Sequence, residues 1–501
     1  MATSTTLLNL VESKPPAFSR PASEPACAQE GPSTPPPNLY AKREQIYPKL
    51  AHGPFRTVKW IVMAVSLSIY YLIPWIRWDR GEGIPNQAVL ADFAGEKFYF
   101  FWIEIWPQDA YYLAGLMILS ALALFFVTAL LGRVWCGYAC PQTVWTDLYI
   151  WIERTFEGDR AARMRLDKAR WTANKALRKA GKHTVWLIVA FWTGGAFIFY
   201  WHDAPTIARG WFTGEAPLTA YWFAGILTLT TYFLAGTMRE QVCTYMCPWP
   251  RIQAALTDEH ALNVTYRYDR GEPRGPKRKS QSWTVRGDCI DCKQCVQVCP
   301  VGIDIRNGPQ LECIHCALCI DACNQMMASI DRPQGLIAYD TDAAVAARAA
   351  GGKPPEYRLI RTRTVLYAVL MTAIGALILF GLSTKATFEI NIIKDRSPSF
   401  VQLSNGDVRN GYTLKLVNKA SEPRTMRVTL GASENTFFEI IGLETEMGTM
   451  ARLPVAAHGV DRYRVLVTMP KGVAQTHVIF TLTDESSGET IINRTPFRTP
   501  K

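Results

Sequence analysis

Two stretches decide how this chain folds: CIDCKQCVQVCP at residues 289–300 and CIHCALCIDACN at residues 313–324. Both place their cysteines in the order C-x2-C-x2-C-x3-C, and proline follows the first run whereas Asn324 follows the second. Three thiolates two residues apart wrap one iron–sulfur cluster, and the fourth cysteine of each run reaches across to the other cluster. The spacing therefore predicts a two-cluster ferredoxin-like insert that moves electrons.

The exchange of the fourth cysteine predicts the ligands of two [4Fe–4S] clusters. The first cluster is expected to use Cys289, Cys292, Cys295 and Cys323, and the second Cys313, Cys316, Cys319 and Cys299. Paired zinc sites are the alternative, because CxxC elements also bind zinc. Zinc sites rarely use three cysteines at this spacing, and the same pattern occurs here twice, so clusters are favoured.

The rest of the chain is rich in apolar sequence, with 49% hydrophobic residues among 501. Five stretches are long enough to cross a hydrocarbon core, which needs about 20 residues. They are approximately Thr57–Ile76, Tyr111–Leu131, Thr184–Trp201, Ala220–Thr237 and Thr364–Leu382. The first begins after a long segment of proline, serine and charged residues, so it is not a cleavable signal peptide. The pattern predicts a polytopic α-helical membrane protein with five spans.

The net charge of +11 is distributed unevenly between the loops. The loop from Gly132 to His183 is densely basic, whereas the loop from Asp203 to Thr219 has Arg209 alone. An excess of lysine and arginine marks cytoplasmic loops. This places the N-terminus and the cysteine runs in the cytoplasm and, with an odd number of spans, the region after Leu382 outside. The charge therefore indicates topology and not a nucleic-acid partner.

The predicted organisation has six parts. They are a disordered cytoplasmic tail at 1–56, a four-span membrane domain at 57–266, a ferredoxin domain at 267–338, a linker at 339–363, the fifth span at 364–383 and a β-domain at 384–501. The tail prediction rests on Met1–Tyr40, which contains little to bury. The β-domain has short alternating runs separated by turn residues, at Thr387–Ile393, Tyr412–Val417, Arg424–Leu430, Tyr463–Thr468 and Thr476–Leu482. About seven strands at this spacing are typical of an immunoglobulin-like β-sandwich.

A loose repeat places two more cysteine pairs beside the membrane. CGYACP at residues 136–141 and CTYMCP at residues 243–248 share the pattern CxYxCP, and each follows an apolar stretch that returns to the cytoplasmic side. Cys136, Cys140, Cys243 and Cys247 should therefore lie at matching depth, on the side of the cysteine runs.

The chemistry of these pairs stays open at this stage. Cysteines four residues apart share one helix face, about 6 Å from each other. If Pro141 and Pro248 instead begin new helices, Cys140 and Cys247 occupy N-caps, where the helix dipole lowers a thiol pKa. Either geometry suits Cu(I) or a reversible dithiol. A third cluster held by both pairs is an alternative, as are buried cysteines without a redox role. The thirteenth cysteine, Cys27, stands alone in the tail.

Haem is the other cofactor that membrane electron transfer commonly uses, and it needs two histidines on facing helices. Only His52, His183 and His202 lie near the ends of predicted spans, so haem is disfavoured. His315, inside the second cysteine run, is expected to form hydrogen bonds and not to bind a metal.

The combination of these motifs resembles the CcoG/FixG family of cytochrome c oxidase accessory proteins. The resemblance rests on WCGYACPQ at residues 135–142, on CTYMCPW at residues 243–249, on the two-cluster insert and on a last span followed by a β-domain. It covers nearly all of the chain after about residue 40.

The resemblance implies a bacterial inner-membrane oxidoreductase that reduces Cu(II) to Cu(I) for assembly of a cbb3-type oxidase. Copper would be the substrate, bound and reduced at Cys136, Cys140, Cys243 and Cys247. The implied partners are a cytoplasmic electron donor, a copper chaperone or oxidase assembly factor, and membrane lipid. The alternative is a quinol-linked polyferredoxin that passes electrons between the quinone pool and a respiratory reductase. A scaffold that holds copper without redox turnover is a third hypothesis.

Overall fold

The structure is a computed structural model that describes residues 45–81, 84–276, 283, 286–384, 388–420, 422–431, 436–443, 450–472 and 476–500. The predicted disordered segment Met1–Tyr40, with Cys27, lies outside the described residues.

The described residues form helices and strands along the whole chain. The α-helices are α1 Pro54–Leu72, α2 Ala110–Leu131, α3 Val134–Tyr138, α4 Pro141–Glu157, α5 Arg160–Lys168, α6 Ala173–Ile198, α7 Ala204–Thr213, α8 Leu218–Thr231, α9 Trp249–Leu256, α10 Tyr268–Gly271, α11 Gln294–Gln297, α12 Leu318–Ser329, α13 Asp342–Ala349 and α14 Thr362–Ser383. The strands are β1 Val89–Asp92, β2 Lys97–Phe100, β3 Ile103–Ile105, β4 Asn263–Tyr266, β5 Ile337–Asp340, β6 Phe388–Lys394, β7 Val401–Gln402, β8 Val408–Asn418, β9 Arg424–Gly431, β10 Phe437–Ile440, β11 Met450–Val455, β12 Val460–Met469, β13 His477–Asp484 and β14 Thr490–Pro496. Single 3₁₀ turns occur at Ile73–Trp75, Pro107–Asp109 and Ile305–Asn307, and π-helical turns at Tyr232–Met238 and Val242–Met246.

Four helices of the described chain are long and apolar enough to cross a membrane. They are Pro54–Trp75, Pro107–Leu131, Leu218–Met238 and Thr362–Ser383, and they overlap the first, second, fourth and fifth predicted spans. Their apolar side chains are widely exposed, as for Met117 at 74% and Leu377 at 69%. A helix that is hydrophobic on all sides is stable where lipid covers that surface. The chain therefore fits a membrane protein.

The predicted third span differs from these four. It falls in α6, whose N-terminal part carries Lys175, Arg178, Lys179 and Lys182 before the apolar sequence begins at Thr184. α6 is not among the helices that length and composition alone identify, but it ends beside the segment between α1 and α2, where Gln87 Nε2 donates to the carbonyl oxygen of Phe199 at 2.6 Å, so the third span stays a prediction. The structure thus supports four of the five predicted spans.

Residues 45–56 belong to the segment that was predicted to be disordered, but they form specific contacts with the rest of the chain. The backbone N–H of Lys49 donates to the carbonyl oxygen of Gln297 at 2.8 Å. The backbone N–H of Arg56 donates to a carboxylate oxygen of Asp321 at 2.8 Å. Asp321 lies on α12, between the last two cysteines of the second run. Its carboxylate therefore caps the N-terminus of α1.

The unit around the cysteine runs is wider than predicted. β4 pairs antiparallel with β5, from Asn263 opposite Asp340 to Tyr266 opposite Ile337. α13 follows directly, with the Thr341 hydroxyl accepting the backbone N–H of Ala344 at 3.1 Å. β4 and the end of β5 lie beyond the predicted boundaries at 267 and 338, and their pairing joins the two sides of the unit. The predicted linker from 339 likewise contains ordered structure up to α13.

The C-terminal strands form the predicted β-sandwich, with more strands than expected. One sheet has the order β10-β12-β8-β6, with β7 also pairing with β8, and the other has the order β11-β9-β13-β14. Side chains alternate between buried and partly exposed along β8, as the period of two residues in a strand requires. The fully buried Tyr412, Leu414 and Leu416 of β8 pack in one core with Val428 and Phe480 of the other sheet.

The β-sandwich contacts the segment that joins α1 to α2. Lys419 Nζ lies 3.3 Å from a carboxylate oxygen of Asp109, and these side chains are 5% and 2% exposed. Lys97 Nζ donates to the carbonyl oxygen of His458 at 2.7 Å. Because these contacts are direct, the β-sandwich and the segment between α1 and α2 lie on the same side of the membrane.

We expect Asp484→Asn to destabilise the β-sandwich most strongly near neutral pH. Burial would raise the pKa of Asp484, but hydrogen bonds from Ser486 and Ser487 and the charge of Arg424 lower it from 3.8 to about 2. A depressed folded-state pKa contributes stability above the unfolded value, and that contribution is lost as the pH falls through about 2. The free energy of unfolding at pH 7 should fall by roughly 1–3 kcal/mol.

The measurement is limited proteolysis of the detergent-solubilised chain between pH 2 and pH 7. Protection of the β-sandwich should differ between Asp484→Asn and the parent chain at pH 7 and converge at the acid end. An equal difference at both ends would contradict this assignment. Asp461→Asn, in the same domain, is the control.

Candidate metal centres

The two cysteine runs adopt the same local backbone conformation. The second residue after the first cysteine and the fourth residue after it have positive φ in both runs. These residues are Asp291 (φ 55°), Lys293 (φ 55°), His315 (φ 52°) and Ala317 (φ 59°). The left-handed conformation is uncommon for residues other than glycine and concentrates at functional sites. Two loops that accept the same strain in the same places are built to curl around the same kind of group.

The first run lies beside the last cysteine of the second. Burial, together with the neighbouring Cys295, Cys292 and Cys289, raises the pKa of the Cys323 thiol to about 12. Cys289, Cys295 and Cys323 are all less than 10% exposed. The structure therefore brings together the four cysteines that the spacing assigned to the first cluster.

The other four predicted ligands surround a second location. A small cavity is lined by Cys299, Cys313, Cys316 and Cys319, together with Cys295 and apolar side chains. Burial raises the pKa of Cys313 to about 12, and Cys316 and Cys299 act on it in the same direction. Cys299 thus lies with the second run although it belongs to the first, as an exchanged ligand must.

These residues fit iron–sulfur clusters better than single metal ions. Within the described ranges, no three side chains of His, Cys, Asp or Glu are arranged to hold one metal ion. Zinc needs its ligands at about 2.0–2.3 Å from one centre, whereas a four-iron cluster spreads its thiolates over a larger core. The cysteines are also shielded by apolar side chains such as Ile305 and Val264. The paired zinc alternative is therefore not supported by this arrangement.

The membrane-edge cysteines come from two separate helical turns. Cys136 lies in α3, and Cys140 is the N-cap of α4, as predicted from Pro141. Cys243 lies in the π-helical turn Val242–Met246. α9 begins at Trp249 with Pro248 as its N-cap, so the predicted N-cap position of Cys247 is wrong by one residue.

The four membrane-edge thiols nevertheless lie close enough to affect one another. Burial raises the pKa of Cys136 to about 12, and Cys140, Cys243 and Cys247 act on it in the same direction. Cys243 has its pKa raised to about 12 by burial and by Cys140 and Cys247. The Cys136 thiol also donates to the Gln253 side-chain oxygen at 3.1 Å. Metal binding at such thiols must release protons.

This four-thiol site touches the second cysteine run directly. A Cβ atom on Gly137 would lie 2.7 Å from the carbonyl oxygen of Ile314 and 2.9 Å from the Cα of Cys316. The Tyr138 hydroxyl donates to the carbonyl oxygen of Cys316 at 3.3 Å. Cys136 belongs to the same buried apolar cluster as Cys316 and Ile314. The absence of a side chain at Gly137 therefore permits backbone contact between the two cysteine sites.

An ionic network on α4 fixes the two membrane-edge elements relative to each other. Glu153, 3% exposed, accepts from Arg239 at 2.9 Å and from Arg163 at 2.7 Å. Lys182 Nζ lies 3.5 Å from the same carboxylate. Burial would raise the pKa of Glu153, but Arg239, Arg163 and Lys182 hold it below its usual value. Since Arg239 precedes Cys243 and α4 follows Cys140, this carboxylate joins the two elements.

Several residues of the site carry no signal in the sequence. Gly137, Gln253 and Asp321 act through contacts with residues more than 100 positions away. Arg133 is another, because its guanidinium donates to the carbonyl oxygen of Leu311 at 2.5 Å. Gly137 lies inside the CGYAC motif, but its role depends on a distant partner that no local pattern reveals. His315 has the predicted hydrogen-bonding role, since its Nδ1 accepts the backbone N–H of Arg133 at 3.3 Å.

Comparison with known families identifies three segments. A family described as "4Fe-4S dicluster domain" matches residues 238–342. One described as "4Fe-4S binding domain" matches residues 113–157, which include Cys136 and Cys140. One described as "IG-like fold at C-terminal of FixG" matches residues 378–500. Iron–sulfur domains and an immunoglobulin-like domain are therefore present.

Three similar proteins extend over nearly the whole chain. "Nitrogen fixation protein FixG" of Rhizobium meliloti is 47% identical and is matched over 92% of this chain and 94% of its own length. "Protein RdxA" of Cereibacter sphaeroides is 48% identical over 87% of this chain and 91% of its own. "Protein RdxB" of the same organism is 44% identical over 88% and 92%.

We expect Glu153→Gln to loosen the four-thiol site. The change leaves the buried Arg163 and Arg239 without the carboxylate that they share, which should lower the free energy of unfolding by about 3–5 kcal/mol. Denaturant unfolding of the detergent-solubilised chain measures that loss, and the alkylation rate of Cys243 reports on the site. Glu259→Gln is the matched control, because the Glu259 side chain is 72% exposed. Equal stability and equal alkylation in both variants would contradict the role of Glu153.

Proposed function

The chain belongs to the CcoG/FixG family, and from that premise we propose that it is a cupric reductase that supplies Cu(I) for assembly of a cbb3-type cytochrome c oxidase. It is an iron–sulfur electron-transfer protein that fits a membrane location. The observation that carries the proposal is the direct contact between the second cysteine run and the four-thiol site, at Gly137 and Cys316.

The chain's residues divide the reaction between two kinds of site. Cys289, Cys292, Cys295 and Cys323 would hold one [4Fe–4S] cluster, and Cys299, Cys313, Cys316 and Cys319 the other. Bound clusters supply single electrons, and Cu(II) accepts one electron to become Cu(I). The electron comes from a cytoplasmic one-electron donor.

The four-thiol site has the chemistry that copper requires. Soft thiolates bind Cu(I) well, so Cys136, Cys140, Cys243 and Cys247 stabilise the product and favour its formation. The thiols must lose protons and rotate toward a common point, because no group of three in the described residues already converges on one ion. Gln253 Oε1 accepts a hydrogen bond from the Cys136 thiol at 3.1 Å, and this hydrogen bond would be lost when the thiol releases its proton to solvent.

The basic loop supports an orientation with the cysteine sites in the cytoplasm. Arg163, Lys179 and Lys182 lie in that loop, and lysine and arginine mark the cytoplasmic side. Their ion pairs with Glu153 and Glu157 attach them to α4, the helix that begins directly after Cys140. The β-sandwich then faces the periplasm of a bacterial inner membrane, where a copper chaperone or an oxidase assembly factor would meet it.

A single-turnover experiment tests the function. The clusters of the detergent-purified chain are reduced without oxygen, the reductant is removed, and Cu(II) is added while cluster absorbance and Cu(I)-chelate formation are followed. We expect one Cu(I) for each electron released, and we expect Cys136→Ser/Cys140→Ser and Cys243→Ser/Cys247→Ser to abolish it with cluster absorbance unchanged. Cys27→Ser is the matched control.

Other outcomes identify the alternatives. If the reduced clusters stay reduced after Cu(II) addition, and the oxidised clusters are reduced by a quinol in a separate experiment, a quinol-linked polyferredoxin would replace this proposal. Copper binding without cluster reoxidation would support the scaffold hypothesis. Full activity in both double variants would remove the four-thiol site from the reaction.

We also expect Gly137→Ala to slow copper-dependent reoxidation. The new Cβ would collide with backbone atoms of Ile314 and Cys316, which cannot move aside as the end of a flexible side chain can. Such overpacking costs about 1–3 kcal/mol. The two sites should therefore separate. Gly225→Ala is the matched control, because a Cβ there meets nothing within 4 Å. Stopped-flow absorbance measures both rates, and equal rates would show that the close approach is not needed.

A further inference from the structure

The strongest feature that the proposed function leaves unused is a buried arginine between the two cysteine sites. Arg133 is 6% exposed and lies three residues before Cys136. Its Nη1 donates to the carbonyl oxygen of Leu311 at 2.5 Å and to that of Cys313 at 3.4 Å. The guanidinium therefore rests on the backbone that enters the second cysteine run.

The charge of Arg133 has no carboxylate in contact with it. No ion pair joins it to a carboxylate in the part of the chain that the structure describes, and Glu312 acts on it only from a distance. A buried cation without a counter-charge costs several kcal/mol. The groups that do act on it are the sulfurs of Cys313 and Cys136, one from each site. As ligands these sulfurs would be thiolates, and their negative charge would then compensate the charge of Arg133.

A contrasting arginine lies beside the first run. Arg306 donates to Asp304 at 2.8 and 2.6 Å and to Asp291 at 2.5 Å. Asp304 and Asp291 balance its charge, although Arg306 still acts on Cys295. The two cysteine runs share a backbone conformation but differ in this respect, since an uncompensated buried cation faces only the second.

We propose that Arg133 is a positioning residue that raises the reduction potential of the cluster held by Cys299, Cys313, Cys316 and Cys319. This inference rests on the iron–sulfur part of the proposed function and not on copper. Four thiolates give such a cluster a net negative charge, and that charge increases by one when the cluster accepts an electron. A fixed cation nearby stabilises the reduced form, because net charge is one of the determinants of cluster potential. The electron then resides preferentially on the second cluster, which is the one beside the four-thiol site.

The test is an anaerobic redox titration of the detergent-purified, cluster-replete full chain, followed by electron paramagnetic resonance. Arg133→Gln removes the charge and should lower the ratio of reduced to oxidised second cluster about tenfold at a given potential. This corresponds to a shift of about −59 mV in its one-electron reduction potential. Arg133→Lys keeps the charge and should restore most of the parent value. The signal of the second cluster is identified by its loss in Cys316→Ser.

Two further variants keep the test decisive. Glu312→Gln removes a negative charge near Arg133 without touching its hydrogen bonds, so the same potential should shift upward. Arg306→Gln is the matched control at the first run and should leave the second cluster unchanged. Unchanged potentials in both Arg133→Gln and Glu312→Gln would overturn the proposal, as would equal shifts in Arg133→Gln and Arg133→Lys, which would indicate a packing role. Failure of copper reduction with these shifts intact would contradict the proposed function alone.

Discussion

The arrangement of the redox sites depends on one close contact, between the backbone at Gly137 and the backbone from Ile314 to Cys316. Backbone atoms cannot yield as side chains do, so this contact fixes how deeply the ferredoxin-like unit sits against the membrane helices. Two other features follow from it. Tyr138 hydrogen-bonds to Cys316, and Arg133 reaches the loop that begins the second cysteine run. Close approach of backbones is the condition that glycine meets, because any Cβ would collide.

Ion pairs of α4 with other helices hold the membrane-edge elements in place. α4 follows Cys140 and buries Asp147, Glu153 and Glu157, each in contact with cations from other helices. Such pairs contribute little net stability, but breaking one leaves a buried charge, so they favour a single arrangement over its alternatives. The basic residues that indicate topology in the sequence therefore have a second role. They are the counter-charges that keep the two membrane-edge elements in register.

The sequence predicted those parts of the molecule whose chemistry is local. Cysteine spacing indicated which thiols come together, and the two-residue period of β8 predicted a sandwich strand. Four spans were recognisable because length and hydropathy suffice for a helix in lipid. Spacing and hydropathy do not predict the features that distant partners decide. β5 pairs with a strand more than 70 residues earlier, and Arg133 has a role only because Leu311 and Cys313 lie beside it. Loop conformation at His315 and Ala317 was likewise invisible to spacing alone.

The Asp321 cap on α1 has a consequence for how the protein is made. The carboxylate that accepts the Arg56 N–H lies 265 residues later in the chain. At synthesis rates of about 5–20 residues per second, the first span waits roughly 13–50 s for the group that completes its N-terminus. Asp321 sits between Cys319 and Cys323, so its final position requires the iron-binding loop to be folded. The N-terminus of the first membrane helix is therefore completed only after the second cysteine run has been synthesised, so the membrane boundary of this chain forms late.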